Sequence, residues 1–344
     1  MKFGPGKWSE RLMDDVMGAT TVANPHLGDY GEETAAAVMA VAQEWVSRFT
    51  VVIVTTGSAK DNTNVTDMAP GSGVLVQLNR DVFGVLTAAH VLRRGDNTKS
   101  FASVTLLVPP RSRQQGGDVM GIDLPFRQYT VDGFDNDSEE GPDIAIIPLR
   151  NEEWRVLDGW GMVAYNLQKD RWSEKRKTDI MKMKPWILSI INGLRFEASK
   201  LVYSHTDGNR GSLAIVATNT RVEIAAERGD HDYVELPSET SECSYPTHWK
   251  SELPGTAAKE IEDLHGEGVT RTVWGGTSGA GAWNVVVGTI EDGLPNGQVL
   301  AELAGICFFA NPDKGCIVAH GRKSITSIAA RHVEEEALRY LDST

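Results

Sequence analysis

The sequence predicts a mostly β protein with two six-stranded antiparallel β-barrels, preceded by a helical extension and followed by a C-terminal helix. Three observations support this fold class. The chain has 344 residues, enough for two folded units at roughly 150 residues each. Two sets of six strand-like segments follow one another along the chain. Turn-forming residues separate the segments of the first set, and no helical pattern long enough for a parallel crossover lies between them.

The helical extension covers residues 1–49. Within it, apolar residues of the segment 32–49 recur at spacings of three and four, which lines one face of a helix. They are Ala35, Val38, Met39, Ala42, Trp45, Val46 and Phe49. Two interpretations remain open. The apolar face either packs on a barrel or forms a docking or regulatory helix.

The first barrel is predicted over residues 50–150. Its strand-like segments are 50–56, 73–78, 82–88, 103–108, 127–131 and 143–149. An acidic run at 132–140 has residues that bind calcium elsewhere, but it lacks the glycine and terminal glutamate spacing of an EF-hand loop. That mismatch favours a solvated loop.

Residues 151–323 are predicted to contain the crossing between the barrels and then the second barrel. Its strand-like segments are 186–191, 212–218, 221–226, 281–287, 299–310 and 316–320. The polar, proline-bearing stretch 228–268 is predicted to be a long loop that shapes access or regulation. The last unit, 324–344, is predicted to be a helix that Ser324 caps and that runs to about Leu341.

Composition limits the partners and the compartment. There are 34 Lys and Arg against 47 Asp and Glu, a net charge of −13, which repels a polyanion, so nucleic acid is not an expected partner. No apolar run approaches the ~20 residues that span a bilayer, and the first residues lack the apolar core of a signal peptide. Only three cysteines occur, Cys243, Cys307 and Cys316. We therefore expect a reducing, cytoplasmic setting and no membrane.

Ser278 is the candidate nucleophile, in the segment Trp274-Gly-Gly-Thr-Ser-Gly-Ala-Gly281. A serine hydroxyl attacks a carbonyl when it projects from a sharp turn and nearby N–H groups receive the developing negative charge. Glycines permit such a turn, and the N–H groups of Gly276 and Ser278 are candidates for an oxyanion hole. Taken alone, the segment is also typical of an ordinary turn.

Two upstream residues fit the remaining roles. His90 directly follows a strand-like run, and Asp143 opens a continuously apolar one, where a carboxylate is costly without a buried partner. Each also has a simpler interpretation. His90 alone is typical of a core histidine, and Asp143 alone of a strand-start cap.

At this point the chain resembles the trypsin-like serine peptidases of the chymotrypsin fold. Thr87-Ala-Ala-His90 is similar to the family's histidine motif, Asp143-Ile-Ala145 to its aspartate motif, and Gly276-Thr-Ser278-Gly279 to its nucleophile loop. The chain order His, Asp, Ser is also the one found in chymotrypsin-type enzymes. The segment 305–310 resembles the strand that pairs with the substrate backbone beside the cleft.

The resemblance implies a serine endopeptidase with His90 as general base, Asp143 as its orienting carboxylate and Ser278 as nucleophile. It needs no metal or organic cofactor, and its substrates are proteins or peptides. Members inside bacterial cells often serve as effectors of defence or signalling assemblies, so the resemblance also raises an activating protein partner.

The chain departs from the family at two positions. Ala280 stands where most members have a second glycine, and Thr277 where secreted members have an aspartate that binds a newly cut N-terminus. We therefore expect no activation by N-terminal cutting. Ala280 also keeps open a catalytically silent protease-like binding module. A second alternative is an esterase that uses the same triad, since ester and amide cleavage share the acyl-enzyme.

The family pattern places the floor of the specificity pocket at Thr272, six residues before the nucleophile, with Phe308, Phe309 and Ala310 along a wall. Thr272 carries no charge, and an unpaired Lys or Arg in such a pocket costs several kcal/mol. The resemblance therefore implies a preference for small or medium apolar side chains, unless Asp313 supplies a charge from the side.

Overall fold

The structure is a computed structural model and describes residues 32–56, 68–92, 103–108, 120–125, 129–132, 142–168, 179, 185–195, 214–220, 223–228, 231–237, 277–290, 294–311 and 316–342. Within these residues the protein is mostly β, with two antiparallel sheets and few helices. The mostly β prediction is confirmed at this level.

The first sheet contains the strands β1 to β8. They are β1 (Thr50–Thr56), β2 (Met68–Asn79), β3 (Val82–Thr87), β4 (Ser103–Val108), β5 (Met120–Leu124), β6 (Thr130–Asp132), β7 (Ile144–Leu149) and β8 (Tyr165–Asn166). The order across the sheet is β5-β4-β1-β2-β3-β7-β6, and the short β8 pairs in parallel with β2. The two outermost strands, β5 and β6, are consecutive in the chain.

The second sheet contains the strands β9 to β15. They are β9 (Trp186–Arg195), β10 (Ala214–Thr220), β11 (Glu223–Arg228), β12 (His231–Pro237), β13 (Gly281–Thr289), β14 (Pro295–Asn311) and β15 (Cys316–His320). Their order is β10-β9-β13-β14-β15-β12-β11. Here too the outermost strands, β10 and β11, are consecutive in the chain.

The described helices are α1 (Glu32–Ser47), α2 (Ala89–Leu92), α3 (Asn151–Gly159) and α4 (Arg322–Asp342). The side chains of Val38, Ala42 and Val46 on α1 are fully buried. They share one core with residues of both sheets and with Ile325, Ile328 and Ala329 of α4. The apolar stripe of α1 therefore packs on the protein itself, the first of the two interpretations given above.

Of the three further cores in the described residues, two lie mainly within one sheet each. One is built mainly from branched side chains of the first sheet, such as Ile53, Leu75 and Ile147, together with Tyr233 and Phe308 from the second sheet. The other belongs to the second sheet and includes several small residues, among them Ala280, Ala282 and Cys307. Phe49 stacks on Trp283 with ring centroids 5.1 Å apart, which joins the end of α1 to β13.

Several predicted boundaries differ from the structure. The strand predicted at 127–131 overlaps β6 (Thr130–Asp132), its first two residues lie outside the described residues, and β5 is a further strand that the sequence pattern did not predict. The stretch 228–268, predicted to be loop, contains β12, because Tyr233, Val234 and Leu236 are buried there in spite of the polar composition around them. The crossing between the predicted barrels, at the start of residues 151–323, contains α3. The side chain of Glu153 in this helix accepts a hydrogen bond from the N–H of Arg150 at 2.8 Å.

The start of the C-terminal helix also differs. The helix begins at Arg322, so Ser324 lies in its first turn and is not its cap. The carboxylate of Asp232, from β12, accepts hydrogen bonds from the N–H groups of Lys323 and Ser324 at 3.2 and 2.8 Å. The side chain of Asp232 thus accepts hydrogen bonds from free N–H groups at the start of the helix. The sequence pattern predicted this capping role for Ser324.

Candidate active site

His90 lies in the single helical turn α2, directly after β3. That strand ends at Thr87, and the two alanines between it and His90 are fully buried. The side chain of His90 remains about a third exposed, at 32%. The turn therefore holds the backbone in the core while the imidazole reaches the surface of the site.

Asp143 comes immediately before β7, which pairs antiparallel with β3 through Thr87 and Ala145. This pairing brings the residue that precedes β7 next to the turn that follows β3. One carboxylate oxygen of Asp143 accepts a hydrogen bond from the His90 N–H at 2.9 Å, and the other lies 2.5 Å from Nδ1 of His90. The carboxylate thus holds both the backbone and the ring of His90, and its side chain is 10% exposed.

The backbone of Asp143 is itself held by a residue of the second sheet. Its N–H donates a hydrogen bond of 2.8 Å to Nε2 of His320, the last residue of β15. His320 is fully buried. No local sequence pattern marks His320, because its contact with Asp143 joins positions 177 residues apart.

Ser278 lies in the turn just before β13 and is half-buried. Backbone hydrogen bonds hold this turn: the Ser278 carbonyl accepts from the N–H of Ser72, the Gly279 N–H donates to the Cys307 carbonyl, and the Ala280 N–H donates to the Thr277 carbonyl, at 2.7 to 2.8 Å. Gly279 has φ +84, which side-chain-bearing residues rarely adopt. A glycine is therefore required after the candidate nucleophile.

The turn of Ser278 packs against the strands that lead to His90. A Cβ atom at Gly279 would overlap the carbonyl oxygen of Ser72 on β2 and the hydroxyl of Thr87 on β3. That hydroxyl donates a hydrogen bond of 2.8 Å to the same Ser72 carbonyl. Because Thr87 lies three residues before His90, the close packing of Gly279 brings the Ser278 turn to the end of β3 from which the His90 turn extends.

Ala280, one of the two departures from the family pattern, is accommodated in this arrangement. Its side chain is fully buried beside Gly193 of β9, where an added Cβ would overlap the Cβ of Ala280. The space for the methyl group comes from the missing side chain at Gly193. The neighbouring Thr277 is buried at 4% exposure, with its hydroxyl 3.5 Å from the Leu194 carbonyl.

The remaining predicted site residues are only partly described. Gly276, the second oxyanion candidate, and Thr272, the candidate pocket floor, lie outside the described residues, as does Asp313. Phe308 and Phe309 lie on β14 at a register shift relative to β15. Phe308 is buried at 6% exposure and stacks on His320 with centroids 4.4 Å apart.

Further residues beyond the predicted set contact the site. The hydroxyl of Ser72 accepts a hydrogen bond from the Leu194 N–H at 2.8 Å, so Ser72 connects β9 of the second sheet with the Ser278 turn. The Cys307 thiol lies beside this turn, but burial raises its pKa far above the usual thiol range. A protonated, buried thiol is a poor nucleophile, which leaves the hydroxyl of Ser278 as the candidate.

Among the residues that the structure describes, no group of three or more His, Cys, Asp and Glu side chains could hold a metal ion. In the same residues, no helix combines the length and the apolar character needed to cross a membrane.

Comparison with known proteins adds no assignment. The chain matches no model of a protein family, and no curated protein matches it.

Proposed function

We propose that this protein is a serine endopeptidase that cleaves protein or peptide substrates through an acyl-enzyme. The observation that carries the proposal is the two-point contact of the Asp143 carboxylate with the backbone and the ring of His90. A carboxylate on Nδ1 leaves Nε2 of the ring as the nitrogen that can accept a proton. This is the orientation that a histidine needs to act as general base for a serine.

In the proposed reaction, His90 removes the hydroxyl proton of Ser278 as its oxygen attacks the peptide carbonyl. The negative charge that develops on the carbonyl oxygen is stabilised by the N–H groups of Gly276 and Ser278, each worth roughly 3 kcal/mol. His90 then donates its proton to the leaving amine, and water hydrolyses the acyl group. Asp143 stabilises the imidazolium that forms between these steps.

The strand orders support the finer fold proposal of two β-barrels. Each sheet ends in two strands that are consecutive in the chain, β5 and β6 in one and β10 and β11 in the other. If each pair is counted as one bent strand and β8 is left aside, each sheet has six strands, which can be numbered one to six in chain order. The cycle of neighbours is then the same in both sheets: strand one lies between strands two and four, and strand six lies between strands three and five. A cycle of this kind closes when the sheet curls.

The fit of Ala280 beside Gly193 favours an active enzyme over a silent binding module. Ala280 is the strongest sequence argument for the silent module, since a second glycine is usual there. The methyl group fills space that Gly193 leaves open, so Ala280 does not require a distorted turn. A module freed from catalysis would also have no chemical need for the His90–Asp143 contact.

The family resemblance also implies a substrate preference, a cytoplasmic compartment and a mode of activation, and these are proposed together with the function. Thr272 at the pocket floor favours small or medium apolar side chains, with Phe308, Phe309 and Ala310 along a wall. Thr277 is buried and offers no carboxylate to a new N-terminus. Activation by a protein partner is therefore proposed in place of N-terminal cutting, and the proposed compartment is the cytoplasm.

Labelling with a fluorophosphonate tests the proposal, because the probe reacts with a serine that a neighbouring base has activated. We expect stoichiometric labelling at Ser278, loss of labelling in Ser278→Ala, and normal labelling in Ser189→Ala, a control at a half-buried strand serine. If an activating partner is required, the labelling appears when cell extract is added. Absence of labelling in both conditions overturns the proposal. Cleavage of a peptide library separates an endopeptidase from an esterase.

A further inference from the structure

His320 is a fully buried histidine that contacts the backbone N–H of Asp143, whereas His90 contacts the Asp143 carboxylate. The Nε2 atom of His320 accepts the hydrogen bond from the Asp143 N–H at 2.8 Å, while the Asp143 carboxylate holds His90. A buried imidazole is costly unless its nitrogens are hydrogen-bonded. In this protein Nε2 of His320 accepts a hydrogen bond from the N–H of Asp143, the residue that orients the candidate base.

The ring of His320 is fixed by its surroundings. Phe308 stacks on it at 4.4 Å with an interplanar angle of 29°, and the ring of Tyr233 lies 5.2 Å away. Its backbone is paired on both sides, with Tyr233 of β12 and Ile306 of β14. The position of Nε2 is therefore set by the second sheet, whereas Asp143 belongs to the first.

The hydrogen bond also defines the protonation of the ring. A nitrogen that accepts a hydrogen bond carries no proton, so neutral His320 carries its proton on Nδ1. The hydrogen bond thus depends on one tautomer of His320.

We propose that His320 is a positioning residue for the catalytic pair, a role that rests on the proposed function. By anchoring the Asp143 amide from the second sheet, it sets where the carboxylate meets Nδ1 of His90. His320 touches neither the substrate nor the reacting atoms. It acts through Asp143, and it ties the geometry of the acid–base pair to the docking of the two sheets.

Two substitutions separate this role from simple packing. His320→Gln places an amide oxygen near the position of Nε2 and keeps an acceptor, whereas His320→Phe keeps a stacked ring and removes the acceptor. We expect His320→Phe to lower kcat by roughly 10²-fold with little change in KM, the size of effect that a 1 Å misplacement near a reacting group produces. His320→Gln should retain most of the activity. Ile317→Val, in the same strand, is the control for a change in core packing.

Proton NMR gives a readout that does not require turnover. The proton between Nδ1 of His90 and Asp143 should resonate far downfield, and the signal is assigned by its loss in His90→Ala. It should persist in His320→Gln and Ile317→Val and should shift or broaden in His320→Phe. Equal loss of the signal in the Gln and Phe variants, or its retention in both, overturns the positioning role.

Nitrogen-15 NMR of the unaltered protein tests the same proposal without any substitution. The chemical shifts of His320 should report a proton on Nδ1 and an unprotonated, hydrogen-bonded Nε2. A proton on Nε2 overturns the proposal even if the variants fail to fold. Neither NMR measurement depends on peptide cleavage. If only the serine labelling fails, the proposed function is rejected, and the NMR results still decide whether His320 anchors Asp143.

Discussion

Around His90 and Asp143 the contacts use side chains, whereas around Ser278 they use the backbone. The Asp143 carboxylate contacts His90 at two points, and the imidazole of His320 accepts the hydrogen bond from the Asp143 amide. The Ser278 turn is held by the carbonyl and N–H groups of Ser278, Gly279 and Ala280.

The two halves of the candidate site should therefore be sensitive to opposite changes. The His90 half should fail when a functional group is removed, because its geometry depends on carboxylate and imidazole atoms. The Ser278 half should fail when atoms are added, because its backbone packs directly on Ser72, Thr87 and Gly193.

The largest effect is expected from removing the charge that holds His90. Asp143→Asn preserves the size of the side chain but cannot stabilise the imidazolium or hold the required tautomer, so kcat should fall by roughly 10⁴-fold. Asp232→Asn is the matched control, because Asp232 caps α4 and should affect stability with little effect on kcat. A loss below tenfold in Asp143→Asn, measured with a peptide substrate, would remove Asp143 from the mechanism.

Adding one methyl group to the Ser278 turn is expected to have the next largest effect. Gly279→Ala puts a side chain at φ +84 and onto the Ser72 carbonyl, which should cost at least ~2 kcal/mol of unfolding free energy and most of the activity. Gly297→Ala is a close control, since its φ is +79 with nothing within 4 Å of the added Cβ, so it reports the backbone strain alone. Equal losses in urea unfolding would show that the packing on Ser72 contributes nothing.

A double-mutant cycle sharpens the interpretation of Ala280. Gly193→Ala introduces a methyl group against that of Ala280 and should destabilise the protein by about 1–3 kcal/mol. Part of that loss should be recovered when Ala280→Gly is combined with it, giving a measurable coupling energy between the two sites. Recovery will be incomplete, because the new Cβ also lies 2.8 Å from the Ser72 hydroxyl. Strict additivity would mean that Gly193 does not provide the space for Ala280.

The smallest expected effect concerns Cys307. Burial raises its pKa, so the thiol ionises in the unfolded chain before it does so in the folded protein. Its contribution to stability is therefore complete below the usual thiol pKa of about 8.5 and is lost as the pH rises above that value. The unfolding free energy should fall less steeply between pH 8.5 and 10.5 in Cys307→Ala than in the unaltered protein. Identical slopes would contradict this account.

Much of the strand pattern could be predicted because it depends on local sequence. The segments 50–56, 103–108 and 316–320 coincide with β1, β4 and β15, each a short apolar or β-branched run. The strand β12 could not be predicted in this way, because a polar, proline-bearing neighbourhood hides Tyr233 and Val234 and their burial comes from the adjoining strands of the sheet.

The site divides along the same line. The motifs around His90, Asp143 and Ser278 mark candidate residues, since each combines a reactive side chain with a strand end or a glycine turn. The contacts that position them are long-range: His320 bonds to a residue 177 positions away, and the Ser72 hydroxyl bonds to one 122 positions away. No rule based on residue spacing predicts contacts between residues so far apart in the sequence.

The shared core of α1 and α4 has a consequence for the order of events during synthesis. Val38 and Ile328 belong to the same core although most of the chain lies between them, so the apolar stripe of α1 is not fully covered until α4 has been synthesised. Contacts this distant in sequence make folding slow and leave apolar surface exposed in the meantime. His320 precedes α4 by only two positions, so its hydrogen bond to Asp143 forms only after the strands of both sheets have been synthesised. In the protease proposed above, this hydrogen bond is absent while the nascent chain is still unfolded and cleavable.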